Sequence, residues 1–147
     1  MSREIKFRAF VNSKLHGIGV HPVRNINFYP FTCQVDIDGE LISFFDFDNL
    51  KIIQYTGLKD KNGMEIFEGD ILTSTEYPFQ DDGGYNYHGV VEWGEEEAAY
   101  YLTKHLANKK RRGISHGISE MLGQEEMTTF EIIGNIYNNP ELLEETA

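Results

Sequence analysis

Histidine and cysteine, the side chains that most often bind metals or act as nucleophiles, are scattered along this chain. Histidines occupy positions 16, 21, 88, 105 and 116, and the one cysteine is Cys33. None of the histidine spacings places two rings on one face of a helix or strand, and a structural zinc site needs about four ligands. Cys33 stands in a strand-like stretch, where burial as a small hydrophobe is expected. We predict neither a metal site nor a Cys-His nucleophile.

Two pairs of aspartates have a spacing that suits cation binding. Asp36 with Asp38, and Asp46 with Asp48, would each share one face of a strand. Four carboxylates near one hairpin end could hold a divalent cation. However, the calcium-loop pattern counted from Asp36 places Phe47 where a bidentate glutamate is required. We therefore interpret these aspartates as solvated or turn-capping residues.

A third carboxylate pair, Glu68 and Asp70, has a spacing that could serve acid-base chemistry. Gly69 between them instead indicates a bulge or tight bend, at which Glu68 or Asp70 would accept backbone N–H bonds. The chain contains no phosphate loop, dinucleotide fingerprint, nucleophile elbow or metalloprotease motif. We expect a protein that is not an enzyme and that needs no cofactor.

The one dense basic cluster consists of Lys109, Lys110, Arg111 and Arg112. Aromatic side chains that could stack on bases occur in the same half of the chain, at Tyr85, Tyr87, Trp93, Tyr100 and Tyr101. That half is strongly acidic, because residues 74–147 carry a net charge of −9, against −2 for residues 1–73. The electrostatic field of this negative charge repels the phosphates of nucleic acid. A nucleic-acid-associated accessory role is thus the alternative function, and the expectation is that nucleic acid is not the partner.

Length and composition limit the number of domains and the kind of protein that this chain can be. The chain has 147 residues with ten Phe and eight Tyr, which is enough for one compact domain with its own core. Residues 1–67 and 68–147 would be its sub-lobes. No apolar run approaches the roughly 20 residues that span a bilayer, and the N-terminus lacks an apolar signal core. We expect a soluble, acidic, cytoplasmic protein without a membrane partner.

The N-terminal half has the alternation and turns of antiparallel β-structure. Residues 4–11 alternate between polar and apolar types, which predicts the first strand, whereas residues 12–33 show no period and are predicted as loop with short extended pieces. Asp38-Gly39 predicts a hairpin turn. A second hairpin is predicted around Asn62-Gly63, because both residues tolerate positive φ.

The C-terminal half is predicted to mix strands with short helices. Strands are expected at residues 71–75, 89–93 and 129–137, and a loop at 78–84. Residues 95–112 have helix-forming composition, with acids first and bases last, and predict a helix. Residues 115–122 predict another short helix. Asn139 would cap a terminal helix that begins at Pro140.

Three blocks of the chain resemble the YopX family of phage and prophage proteins. They are Phe7-Arg8-Ala9, residues 54–72 and residues 132–143. The resemblance implies a mainly β fold, with a small barrel-like second half closed by residues 131–137. The most specific block is the second, and within it the family resemblance and the turn chemistry single out six residues as a structural motif: Gly57, Asn62, Gly63, Glu68, Gly69 and Asp70. Residues 95–126 depart from the family pattern by their length.

The family has no established biochemical activity, so the resemblance implies no catalytic residue. We expect a phage- or prophage-encoded protein that acts in the bacterial host cytoplasm by binding or assembly, with an unidentified protein partner. Few prolines or charges interrupt its predicted strands, and unprotected strand edges tend to pair. We therefore also expect a homo-oligomer.

Overall fold

The protein is mainly β, as predicted. A computed structural model describes residues 5–74, 87–96, 98–106, 109–117 and 130–143. The chain groups into two compact units, Met1–Tyr55 and Thr56–Ala147, here called the N-terminal and C-terminal units. The assignment of the whole chain to one domain stays a prediction. No helix in the described ranges has the length and apolarity to span a bilayer.

The N-terminal unit is an antiparallel sheet in the order β4-β3-β2-β1-β5. Its strands are β1 (Phe7–Ser13), β2 (Gly17–Phe28), β3 (Phe31–Ile37), β4 (Glu40–Phe44) and β5 (Leu50–Lys59). The last of these runs across the boundary into the C-terminal unit. The predicted first strand is thus confirmed as β1.

The prediction of loop across residues 12–33 was wrong, because β2 is a strand of 12 residues. Its first half pairs with β1 as far as Pro22, and its second half pairs with β3 from Val23 onward. A register shift between Val23 and Asn25 lies where the strand changes partner. The bulge shifts the alternation of the side chains, so the sequence shows no continuous period of two.

The Asp38-Gly39 hairpin is confirmed. Ile37 and Glu40 face each other across β3 and β4, which leaves Asp38 and Gly39 as a two-residue turn. Both turn residues have positive φ, 53° and 89°. This is the turn whose twist matches that of the flanking strands.

The core of the N-terminal unit lies between its strands. Ala9, Val11, Cys33, Val35 and Leu50 are buried together. Strands β1, β3 and β5 all contribute to this one cluster. Cys33 is buried, as predicted, and its burial raises the pKa of the thiol.

The C-terminal unit contains a five-stranded antiparallel sheet in the order β10-β9-β8-β7-β11. The strands of this unit are β6 (Glu65–Phe67), β7 (Asp70–Ser74), β8 (Tyr87–Gly94), β9 (Ala99–Leu106), β10 (Lys109–Gly117) and β11 (Phe130–Asn135). β6 pairs with the second part of β5. In the described ranges no ladder joins β10 to β11, so the barrel-like closure stays a prediction. The strands predicted at 71–75, 89–93 and 129–137 are confirmed as β7, β8 and β11.

The predicted helix at residues 95–112 was wrong. Residues 99–106 form β9, which pairs with β8 along its whole length, and residues 109–117 form β10. Tyr100 and Leu102 alternate into the core. Helix propensity is a weak preference, and cross-strand pairing outweighs it here. The first part of the helix predicted at 115–122 also lies in β10.

A short 3₁₀ helix, Pro140–Leu143, begins at the predicted Pro140, although it is not the α-helix whose N-terminus Asn139 would cap. Asn139 precedes it, but its side-chain oxygen accepts a hydrogen bond from Asn135 N (3.2 Å), so it holds the end of β11 and does not act as the predicted cap. The loop predicted at residues 78–84 and the rest of the helix predicted at 115–122 lie outside the described residues.

The β5–β6 hairpin has a different turn from the one predicted. Gly63 has positive φ (79°), but Asn62 does not belong to the positive-φ residues of the described chain. Gly63 N donates to Asp60 O (3.0 Å), and Asp60 N donates to Met64 O (2.8 Å). This is a three-residue loop with a type I turn and a bulge at the glycine.

The buried carboxylate of Asp60 holds this loop against β11. Its Oδ1 accepts hydrogen bonds from Asn62 N and Met64 N, both at 2.9 Å, within the loop. Its Oδ2 accepts a third from Ile132 N at 3.0 Å. Lys61 N also donates to Phe130 O (2.9 Å). One acidic side chain thus satisfies backbone donors from segments about 70 residues apart in the sequence.

The Glu68-Gly69-Asp70 turn is a second structural junction. Asp70 is buried and its Oδ2 accepts a hydrogen bond from Phe67 N (2.8 Å), so the bend has the carboxylate-to-backbone bond that the sequence predicted. Gly69 has φ of 83°, donates to Val91 O (2.8 Å) and accepts from Ile136 N (2.9 Å). A Cβ at Gly69 would lie 2.8 Å from the ring of Tyr137. Only glycine fits this position.

Replacement of Gly63 tests the loop geometry. We expect Gly63→Val to lower the free energy of unfolding by about 1–2 kcal/mol, because a β-branched residue resists positive φ. Asn62→Ala is the control and should change it by less than about 0.5 kcal/mol, because Asn62 needs no positive φ. Urea denaturation measures both. Equal stability of Gly63→Val and wild type would contradict the assigned turn.

Replacement of Asp60 tests the junction with β11. We expect Asp60→Ala to lower the free energy of unfolding by about 2–4 kcal/mol, because backbone donors lose their acceptor inside the fold. Asp46→Ala is the matched control, since the exposed Asp46 accepts one N–H, from Asp48. It should cost less than about 1 kcal/mol. Similar losses in both variants, read from urea denaturation, would show that the Asp60 contacts contribute no more than an exposed turn.

Candidate interaction surface

The β2–β3 turn and the segment after β4 bring aromatic side chains to one end of the N-terminal unit. Phe28, Tyr29, Phe45 and Phe47 are 83%, 95%, 71% and 60% exposed. Phe31, in β3, is half-buried. We call these five residues of the β2–β3 hairpin and of the segment after β4 the aromatic rim. Exposed rings in such number are unusual, because monomeric proteins seldom leave large contiguous apolar patches in water.

Backbone register and ring contacts connect three residues of the rim, Phe28, Phe31 and Phe47. Phe28 and Phe31 are direct partners across the β2–β3 hairpin, so their side chains lie on the same face. The Phe31 and Phe47 ring centroids are 4.4 Å apart, with the rings tilted by 32°. Tyr29 and Pro30, joined by a cis peptide bond, form the hairpin turn. Phe31 also packs against the core of the unit, which anchors the rim to the sheet.

The rim lies in a strongly acidic part of the chain. Residues 25–50 contain no Lys, Arg or His, and their five carboxylates are Asp36, Asp38, Glu40, Asp46 and Asp48. The first three lie at the β3–β4 end of β3, and the last two lie in the rim segment after β4. Asp46 and Asp48 flank Phe47 directly. In the part of the chain that the structure describes, neither Asp46 nor Asp48 has an ion-pair partner. The rim therefore combines flat apolar rings with uncompensated negative charge.

Within the described residues, only Asp36 among these carboxylates has a cationic partner. Arg24 donates to Asp36 Oδ2 through Nη2 (3.0 Å) and Nε (3.2 Å), and Gly39 N donates to Asp36 Oδ1 (2.8 Å). The Arg24 guanidinium, followed by the Gly39 amide, lowers the pKa of Asp36 below its ordinary value. The interpretation of Asp36 and Asp46 as turn residues agrees with these contacts, since Asp46 Oδ1 accepts from Asp48 N (3.0 Å).

The rim suits binding better than catalysis. Its side chains are aromatic rings and carboxylates. The Cys33 thiol, in β3, is buried, and burial raises its pKa. Aromatic faces and adjacent carboxylates attract cationic groups. No three His, Cys, Asp or Glu side chains of the described residues lie together as a metal ion would require. The absence of an enzymatic activity and of a cofactor stays a prediction.

The residues that the sequence singled out lie elsewhere, in the C-terminal unit. Gly57 has positive φ (90°) within β5, next to Thr56, whose buried hydroxyl donates to Ile66 O (2.8 Å). Gly63 shapes the hairpin loop, and Gly69 and Asp70 form the bend before β7. Asn62 contributes its backbone N–H to Asp60, and Glu68 stands at the start of the bend. The geometry gives this motif structural roles in folding the unit.

The basic cluster lies in β10. Lys109, Lys110, Arg111 and Arg112 belong to a strand and not to the end of a helix, so helix-dipole complementarity does not explain them. Two of the aromatic residues noted beside them, Trp93 and Tyr100, pack against each other, with centroids 5.0 Å apart in a T-shaped arrangement. Tyr85 lies outside the described residues. A nucleic-acid role for the cluster stays the alternative prediction.

Sequence reasoning missed the rim because it treated residues 12–33 as loop. Phe28, Tyr29 and Phe31 then had no assigned neighbours, and Phe47 was considered only as the residue that breaks the calcium-loop pattern. A usable signal was present. Six aromatic residues fall between 28 and 47 in a stretch without one basic residue, which is an unusual composition for an ordinary hairpin.

Comparisons with known proteins agree with the fold. A crystal structure of protein EF1440 from Enterococcus faecalis is similar to the chain, with a TM-score of 0.55 and 24% identity over 97% of this chain and 100% of that one. At this identity the likeness concerns the fold alone. No curated protein matches the chain.

The family comparison covers nearly the whole chain. The model described as YopX protein matches residues 6–144, which include all three blocks of the resemblance noted in the sequence. The matched range also includes residues 95–126, whose departure from the family pattern by their length stays a prediction. The chain belongs to the YopX family.

Proposed function

We propose that this protein is a non-catalytic binding protein that engages a protein partner through the aromatic rim. The observation that carries the proposal is the exposure of Phe28, Tyr29, Phe45 and Phe47 beside a half-buried Phe31. Aromatic side chains dominate the energetics of protein interfaces because each buries a large area with little loss of conformational freedom. A surface that held no partner would expose these rings to water at a cost in solubility.

The position of the rim supports the same role. Turns and loops on a rigid sheet are common places for recognition, since the scaffold fixes them while their sequences vary freely. The rim residues occupy the β2–β3 turn and the segment between β4 and β5, and Phe31 fastens them to the core. In the structural motif of the C-terminal unit, Gly69 and Asp70 already form hydrogen bonds with backbone groups of the same unit. The motif is therefore a weaker candidate for recognition.

We place this activity in the cytoplasm of a bacterial host, as part of a phage or prophage. Support comes from the resemblance of the three sequence blocks to phage and prophage proteins. The self-association that the sequence predicts remains part of the proposal. It would use a surface other than the rim, because two copies of the rim would bring like charges together.

Capture of the partner tests the proposal. The wild-type protein should cross-link to a specific protein in induced host cells, identified by mass spectrometry. Phe28→Ser/Tyr29→Ser should reduce that capture by at least about tenfold, because loss of two interface aromatics typically costs more than about 1.4 kcal/mol. The fold should be unaffected, since both side chains are almost fully exposed.

A matched variant controls for general loss of surface hydrophobicity. Ile5→Ser/Met64→Ser also removes two exposed apolar side chains, one from each unit, and should leave capture unchanged. Equal capture by wild type and by the Phe28→Ser/Tyr29→Ser variant would refute the role of the rim.

A further inference from the structure

We propose that the partner of the aromatic rim is a basic segment of a protein, rich in arginine or lysine. This inference rests on the proposed function and specifies the chemistry of the partner. It follows from the combination of rings and uncompensated carboxylates on one surface, which a neutral or acidic segment would not satisfy.

Charge complementarity is the first argument. Asp46 and Asp48 are the carboxylates of this surface, and neither has an ion-pair partner among the described residues. The other carboxylates of residues 25–50 lie at the β3–β4 end of β3, away from the rim. Asp46 and Asp48 sit on either side of Phe47, so a cation over this ring would meet two negative charges. Complementary charge of this kind selects a partner by attraction and excludes partners of like charge.

The aromatic rings supply the second argument. A guanidinium or ammonium group is attracted to the face of an aromatic ring, with about 0.5–1 kcal/mol gained at exposed sites. Phe28, Tyr29 and Phe45 offer rings that are more than two thirds exposed. The stems of Arg and Lys are apolar and can pack on the rings while their charged ends reach the carboxylates. One type of side chain thus uses both features of the surface.

The same features argue against other occupants. A second copy of this chain would place its own Asp46 and Asp48 against those of the first, and nucleic acid would bring phosphates to them. An apolar segment would leave both carboxylates beside a buried contact without compensation, which is costly. A basic segment is the occupant that can contact the rings and also compensate the charges of the carboxylates.

Fluorescence anisotropy with labelled peptides tests the inference on the full chain at physiological salt. The probe is a short peptide with an Arg-Ser-Leu repeat, and its counterpart has Glu in place of Arg. We expect saturable binding of the Arg peptide and none of the Glu peptide. Absence of binding by the Arg peptide, or equal binding of the two peptides, would overturn the inference.

Paired variants separate the rim from general attraction to an acidic protein. Asp46→Asn/Asp48→Asn removes two charges, while the carboxamide oxygen introduced at position 46 can still accept the backbone N–H of residue 48, and should weaken binding about fivefold or more. Glu95→Gln/Glu96→Gln removes two exposed charges from the β8–β9 loop and should weaken binding less than about twofold. Equal losses in the two variants would mean diffuse attraction, which contradicts the inference.

An aromatic variant completes the test without changing charge. Phe28→Ser/Tyr29→Ser should weaken binding of the Arg peptide about fivefold or more, through loss of the ring contacts. Unchanged affinity would contradict the inference. Sedimentation of the protein alone checks the competing occupant: a dimer that this variant abolishes would show that a second copy covers the rim, and would overturn the inference.

The outcomes distinguish this inference from the function on which it rests. If the Arg peptide fails to bind while the Phe28→Ser/Tyr29→Ser variant still loses its cellular partner, the rim is an interface for a partner of other chemistry. If the cellular partner is captured independently of the rim, the proposed function itself fails, whatever the peptide does.

Discussion

The contact on which the C-terminal unit most depends is the one between the buried Asp60 carboxylate and three backbone N–H groups. Two of these belong to its own hairpin loop and one to Ile132 in β11. An acidic side chain is costly to bury unless hydrogen bonds replace its hydration. Here the donors are main-chain amides that would otherwise lack acceptors, so the carboxylate and the loop satisfy each other. The hairpin and β11 are thereby held in one arrangement.

This constraint gives the most recognisable block of the chain a structural explanation. Thr56, Asp60, Gly69 and Asp70 all bind backbone groups within their own unit. Their polar atoms are engaged in closing turns and joining strands. A sequence signature can therefore mark the residues that a fold cannot replace, and it need not include exposed residues such as those of the aromatic rim.

The sequence predicted those elements whose information is local. The Asp38-Gly39 turn and strands β1, β7, β8 and β11 were predicted correctly, because turn residues and the alternation of apolar and polar residues can be recognised within a few consecutive positions. β2 was missed because its bulge and change of partner interrupt the alternation. β9 was read as a helix because its helix-forming composition gives no hint of its pairing with β8. In both cases the strand forms because it pairs with other strands, and this pairing cannot be read from the residues of the strand itself.

The candidate site was harder to predict for the same reason. The Asp60 junction was not predicted, because nothing near Asp60 in the sequence indicates that Ile132 supplies a donor. The rim requires the β2–β3 hairpin and the segment after β4 to meet, which depends on the register of β3 with both neighbours. Residue types indicated aromatic and acidic character, and only the fold placed these residues together.

Native-state hydrogen exchange at the Ile132 amide tests the central role of Asp60 most directly. This amide donates to Asp60 Oδ2, so its protection reports the junction itself. The account predicts that it exchanges only when the protein unfolds globally, with an exchange free energy equal to that from denaturant. Exchange through a local opening of about 1–2 kcal/mol would contradict it, because the junction would then open while the rest of the fold stays intact.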